Sequence, residues 1–206
     1  TGEILDGSAK DIVNRCSRDR RRRGSGVQRL LVAGRTQGED DSAAGLTGPL
    51  RDMWNPRCYG NAGKVSDLEY TCSTADGGGV HSNSGVPNHA YSLVVDGGTY
   101  NGQTITGIGL TKAAHIYFRA QSVYQGPVSN FADHADAIEM SCADLTGVNL
   151  TDIQTGAPSG EVITAGDCAQ VAKAALAVQL RTPPTQCNFV PLLDQAPPAL
   201  CAAGTS

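Results

Sequence analysis

The chain has 206 residues, a formal net charge of −4 and only 5% aromatic residues. Nothing in an acidic chain poor in aromatics suggests a nucleic-acid surface, and no apolar run approaches the roughly 18 residues needed to cross a bilayer. It is long enough to bury one large core or two small ones. Starting at Thr1 without a methionine or signal sequence, it reads as a processed piece or a fragment of something longer.

In chain order, residues 2–14 open with a helical pattern that is lost at Gly7. The tract Arg18-Asp19-Arg20-Arg21-Arg22-Arg23 reads as a solvated loop, and Val27 to Val32 as a short strand. Residues 38–85 are loop-rich, with an acidic cluster at Glu39, Asp40 and Asp41 and the single tryptophan, Trp54. From Gly85 the pattern turns helical: Val86, His89, Ala90, Leu93 and Val94 recur at steps of three and four. Gly97-Gly98 stops that helix, and Asn101-Gly102 predicts a tight hairpin. A helix capped by Thr111 is expected to show Ala114, Tyr117, Phe118, Gln121 and Tyr124 along one side. Ser129 is expected to cap a third helix with Phe131, Ala135, Ile138, Cys142 and Leu145 on one face. Thr164 precedes a fourth carrying Val171, Ala174, Ala175 and Val178. The expected class is mainly α: a helical bundle with a small β-hairpin and a loop-rich N-terminal part. Its divisions are an irregular segment at 1–37, a helical domain at 38–147 and a helical, disulfide-tied extension at 148–206.

Seven cysteines without a C-x-x-C spacing do not suggest a zinc cluster. Six fall into sequence neighbours, and pairing by proximity would join Cys58 to Cys72, Cys142 to Cys168 and Cys187 to Cys201. Each short loop closed in this way is stabilised by about 3 kcal/mol. Cys16 is left over. This usage points to an oxidising compartment, secreted or extracytoplasmic.

The chemistry concentrates in Asp76-Gly77-Gly78-Gly79-Val80-His81-Ser82-Asn83-Ser84-Gly85. Glycines let the backbone fold tightly and approach a ligand closely. A carboxylate beside an imidazole fixes its tautomer, and a positioned histidine can stabilise an oxyanion developing on a carbonyl. Arg51, after Leu50, carries a planar fork suited to a carbonyl or carboxylate. Asp6, Glu39, Asp40 and Asp41 are oxygen donors of the kind calcium takes, without the spacing of an EF-hand loop. His89 reads as structural and His115 as a core or boundary residue. Asp133, His134 and Asp136 do not share one helical face and read as solvent surface. Asn83-Ser84-Gly85 lacks the sharp G-x-S-x-G turn of a serine nucleophile.

Together these segments resemble the thermolysin family of zinc metallopeptidases. The resemblance lies in Gly38-Glu39-Asp40, Pro49-Leu50-Arg51-Asp52-Met53, Asn55-Pro56, Tyr59-Gly60 and the Asp76 to Gly85 run. It continues in Gly97-Gly98-Thr99-Tyr100, Gly107-Ile108-Gly109 and Ser129-Asn130-Phe131. It implies that His81 donates to a tetrahedral intermediate, that Asp76 orients it, and that Arg51 binds the substrate carbonyl beyond the scissile bond. Leu50 would line the pocket for an apolar side chain, and Asp6 and Glu39 would match calcium positions. The family also requires H-E-x-x-H and a glutamate to hold zinc and activate water, and none of the four histidines here begins that motif. The resemblance is therefore to the C-terminal, helical half of a secreted zinc metalloendopeptidase that acts on peptide or protein substrates before apolar residues. Its zinc ligands would lie in a preceding half. The isolated chain is expected to be inactive, with no nucleic-acid or membrane partner. A non-catalytic binding module derived from the same fold is the alternative.

Overall fold

The computed structural model describes residues 51–189. Asp6, Glu39, Leu50, Cys16, Cys201, the arginine-rich tract and the expected strand at 27–32 lie outside the described residues. So do the helical start expected at 2–14 and the acidic pair Asp40 and Asp41.

The first described segment is an irregular run held by side chains. Asp52 Oδ1 accepts from the backbone N–H of Trp54 and Asn55, a turn that leads into a 3-10 turn at Pro56–Tyr59. Five helices follow: α1 (Ala75–Asn83), α2 (Gly85–Asp96), α3 (Leu110–Arg119), α4 (Phe131–Asp144) and α5 (Ala165–Ala177). Two antiparallel pairs interrupt them: β1 (Gly97–Tyr100) with β2 (Gln103–Thr106), and β3 (Asn149–Thr151) with β4 (Pro158–Val162). The mainly α class read from the sequence is the class observed.

α2 is the central helix. Val86, Ala90, Leu93 and Val94 are each at most 1% exposed, which is the stripe that the three-and-four spacing predicts. Its end is set by backbone crowding. A Cβ on Gly97 would lie 2.5 Å from the Gly107 nitrogen and 2.7 Å from the Ile105 oxygen, so only glycine lets the chain turn straight from helix into hairpin. Asn101 and Gly102, both at positive φ, make the two-residue turn between β1 and β2, as Asn-Gly predicts.

α3 departs from expectation in start and phase. Its N-cap is Gly109, not Thr111, and it buries Thr111, Ala113 and Ile116 while Phe118 stays 71% exposed. A π-helical turn at Ala120–Tyr124, closed by the Gln125 N–H on the Ala120 carbonyl at 3.0 Å, follows directly. A single 3.6-residue pattern drawn from Ala114 to Tyr124 therefore mixes two phases. α4 is capped by Asn130 rather than Ser129, in a reciprocal capping box with Asp133. Its apolar face is as expected, with Ala135, Ile138 and Cys142 fully buried. Thr164 caps α5, again reciprocally, with Asp167. The stretch 147–163 contains the β3–β4 pair. Asp152 Oδ1 organises its turn by accepting from Gln154 N, Thr155 N and Thr155 Oγ1.

α5 belongs to the same core as the other helices. Val171, Ala174, Ala175 and Val178 join Leu93, Ile116 and Ile138 in one buried cluster, and Lys112 on α3 pairs with Asp167 on α5 at 2.9 Å. Burying side chains of the Val, Leu and Ile class stabilises by roughly 1.5–3 kcal/mol each, so α5 is an integral wall of the bundle.

The disulfides correct the pairing by proximity in two of three cases. Cys142–Cys168 is present and joins α4 to α5. Cys72, however, bonds Cys187, 115 residues away, with Cα atoms 5.1 Å apart. Cys58–Cys72 and Cys187–Cys201 are thereby both excluded, although Cys58 is itself disulfide-bonded. The cause is the fold: α5 returns the chain beside the segment that precedes α1, so neighbours in space are remote in sequence. No helix among the described residues is long and apolar enough to cross a membrane.

Candidate functional site

Asp76, Gly77, Gly78 and Gly79 all have φ between 54° and 88° and ψ between 27° and 41°. Four consecutive residues in this region form a left-handed turn, and right-handed geometry resumes only at Val80. An L-residue in this conformation costs roughly 1–2 kcal/mol, and glycine largely escapes that cost. Three glycines in a row are therefore what the turn requires, and Asp76 is the one residue held there against preference.

What holds Asp76 is His81. The Asp76 carboxylate spans the turn, accepting the His81 backbone N–H on Oδ2 at 2.9 Å and contacting His81 Nδ1 through Oδ1. The contact with the carboxylate assigns a proton to Nδ1 and leaves Nε2 at the outer edge of the ring. The hydrogen bond from the His81 ring, then that from its backbone, hold the Asp76 carboxyl below the usual carboxylate range. The histidine side chain is 77% exposed and the carboxylate 39%. The pair thus faces outward.

Arg51 reaches the same place. Its Nη1 donates to the His81 carbonyl and to Ser84 Oγ, the latter at 2.9 Å, and Ser84 Oγ donates to the His81 carbonyl at 3.0 Å. Positive charge therefore sits beside His81, and the Arg51 guanidinium further favours the ionised Asp76. The structure brings together Asp76, His81 and Arg51, three of the site residues expected from sequence.

Ser84, Asn83 and Thr71 were not singled out for this role by the sequence. Asn83 is 6% exposed. Its Oδ1 accepts the Thr71 N–H at 2.8 Å, and its Nδ2 donates to the Thr71 carbonyl at 2.9 Å and the Gly78 carbonyl at 3.3 Å. Thr71 in turn lies against Gly79, where a Cβ would be 2.6 Å from the Thr71 Cβ. Gly85 is equally confined, 2.4 Å from the Ala62 carbonyl oxygen at its would-be Cβ. The signal available was the Ser82-Asn83-Ser84-Gly85 run directly after the histidine, whose small and amide-bearing side chains suit backbone contacts.

The other histidines are structural. His89 is buried, with Nδ1 3.0 Å from the Gly63 carbonyl oxygen and its ring 4.2 Å from that of Tyr100; burial pushes its pKa down. His115 Nε2 donates to the Thr151 carbonyl at 2.8 Å. His134 corrects the solvent-surface reading. Its ring lies 5.6 Å from that of Tyr117, its Nε2 is shut from solvent, and burial lowers its pKa. Asp133 is committed to the α4 cap and Asp136 to Arg181. Among the described residues no three His, Cys, Asp or Glu side chains converge to hold a metal ion. Residues 51–189 thus supply no zinc ligand set of their own.

Known proteins are similar to this chain in sequence. The family model for the thermolysin metallopeptidase, alpha-helical domain, matches residues 5–157. Bacillolysin from Brevibacillus brevis is 42% identical over 118 residues, covering 57% of this chain and 22% of the relative. Thermolysin from Alicyclobacillus acidocaldarius subsp. acidocaldarius is 40% identical over 119 residues, covering 57% and 21%. Bacillolysin from Bacillus cereus is 39% identical over 117 residues, covering 56% and 20%. The chain spans about a fifth of the length of these curated relatives. With a left-handed glycine turn presenting a histidine–aspartate pair on a helical bundle, and a family match over most of its length, the chain belongs to the thermolysin metallopeptidase family through its alpha-helical domain.

Proposed function

We propose that this chain is the C-terminal, helical part of a secreted zinc metalloendopeptidase, in which His81 and Arg51 stabilise the tetrahedral intermediate and Asp76 orients His81. The observation that carries the reading is the Asp76–His81 pair beside Arg51. In the proposed role both ring nitrogens of His81 carry protons, Nδ1–H held by the Asp76 carboxylate and Nε2–H donating to an oxyanion. Asp76 holds the ring in that orientation and balances the charge on it. The Arg51 guanidinium, anchored by one nitrogen, presents a planar fork of donors to a substrate carbonyl. Leu50, next to it in sequence, would line an apolar pocket and so favour cleavage before apolar residues.

Zinc would supply Lewis acidity and a nucleophile at neutral pH. The residues described here do not make its site, and the sequence contains no H-E-x-x-H. The zinc ligands are therefore proposed to reside in a preceding half of the complete protein, and the isolated chain to be inactive. Calcium at Asp6 and Glu39 remains part of the same proposal. The absent motif also supports a second reading, a non-catalytic binding module that keeps one wall of a substrate groove.

The deciding experiment is His81→Ala in the complete encoded protein, assayed on a peptide with an apolar residue after the scissile bond. A fall in kcat of about 100-fold or more with an unchanged unfolding midpoint is the expected result. Unchanged turnover would overturn the catalytic role. An active complete enzyme would itself exclude the binding-module reading.

A further inference from the structure

Residues 73–78 are exposed, yet they carry a turn that sets the Asp76–His81 pair. The contacts that hold this turn lead to one residue, Thr71. Its N–H and carbonyl are both taken by Asn83, its Oγ1 lies 2.9 Å from Ser82 Oγ, and its Cβ packs on Gly79. The next residue is Cys72, bonded to Cys187. This disulfide is the last fixed point before the chain enters the exposed turn. Its other end is itself anchored. Cys187 ends the 3-10 turn Thr185–Cys187, Gln186 Nε2 donates to the Val65 carbonyl at 2.6 Å, and the Val65 N–H donates to the Val178 carbonyl just beyond α5.

We propose that the Cys72–Cys187 disulfide is a positioning element for the Asp76–His81 pair, tying the left-handed turn to the C-terminal end of α5 through Thr71 and Asn83. The proposal rests on the reading of that pair as functional, but its geometric content does not. Both cysteines are only partly buried, whereas in the other bridge Cys142 is fully buried and Cys168 partly so. With Cys72 released, Thr71 is no longer held against Gly79. Asn83 then loses its fixed partner, and the turn that aims Asp76 at His81 relaxes.

The test is the titration of the Asp76 carboxyl, followed by carbon-detected NMR in the chain of residues 1–206. Asp76 faces His81 and Arg51, and its low pKa depends first on the His81 hydrogen bonds, so it reports their geometry in the folded state. Three proteins are compared: unchanged, Cys72→Ala with Cys187→Ala, and Cys142→Ala with Cys168→Ala. The expected result is that Asp76 moves up toward an ordinary carboxyl value when Cys72–Cys187 is removed and stays low when Cys142–Cys168 is removed. The second pair controls for general destabilisation, which it also causes. An Asp76 titration that is the same in all three, or that shifts equally in both variants, overturns the proposal. If the Cys72→Ala, Cys187→Ala chain does not fold, graded reduction of the unchanged protein gives the same comparison, with peptide mapping to show which bridge has opened. Because the readout needs neither zinc nor turnover, an inactive complete protein would count against the peptidase reading and leave this result standing.

Discussion

Replacing Gly79 with alanine tests whether the left-handed turn is held by packing or only tolerated by glycine. Gly78→Ala is the reference. Both positions have positive φ, +88° at Gly78 and +75° at Gly79, but a Cβ at Gly78 meets nothing within 4 Å. Its cost is the conformational one alone, roughly 1–2 kcal/mol. At Gly79 the new Cβ would lie 2.6 Å from Thr71 Cβ and 2.8 Å from its Cγ2. That is about 1 Å inside ordinary carbon contact. Thr71 cannot yield easily, since Asn83 grips its backbone on both sides and Cys72 is bonded to Cys187. Overpacking of this kind adds about 1–3 kcal/mol, so the expected loss for Gly79→Ala is roughly 2–5 kcal/mol. Urea unfolding followed by far-UV circular dichroism reads both values, provided the slope on denaturant is unchanged. If Gly79→Ala comes within about 0.5 kcal/mol of Gly78→Ala, the close packing of Thr71 does not constrain the turn, and glycine there is required by conformation alone.

Other outcomes follow from the same structure. Removing the Cys142–Cys168 bridge, separation 26, should cost about 3.5 kcal/mol, and removing Cys72–Cys187, separation 115, about 4.8 kcal/mol by loop-closure entropy. Denaturant titration of the two double-alanine variants checks the order, and a larger loss from the first pair would refute the entropic account. Burial holds the pKa of His89 and His134 below the unfolded value, so the unfolded chain binds more protons as pH falls through about 6.5. Stability should therefore decline on acidification below that point, and the thermal midpoint of a His89→Gln, His134→Gln variant should depend less on pH over the same interval. Asn130→Ala and Thr164→Ala each remove one side of a capping box and should each cost about 1 kcal/mol in the same unfolding assay. A loss near zero would mean that the caps are dispensable.

The helices were legible because their apolar spacing and stop signals agree. Val86, Ala90, Leu93 and Val94 are buried as their spacing requires, and Gly97-Gly98 ends α2 where two backbones meet. The phase of α3 was not legible, because a π turn is decided by tertiary packing and leaves no period of its own. The Cys72–Cys187 bond was hidden for a related reason. Proximity in sequence says nothing about a contact made only after α5 has packed across the bundle. At the site, the acid, the glycines and the histidine could be read from their order along the chain. The amide of Asn83 could not, since its partners at Thr71 and Gly78 become neighbours only through the left-handed turn.

The outward aspect of the Asp76–His81 pair has a dielectric consequence. Two unit charges about 4 Å apart attract by about 1 kcal/mol in bulk water and about 4 kcal/mol where the effective dielectric constant is near 20. A histidine side chain 77% open to solvent lies toward the first of these limits, and water competes for its free ring nitrogen. On the proposed reading, the surface that closes over His81 would do more than bring metal and substrate. By excluding water, it would strengthen a donor that this half of the site has already aimed.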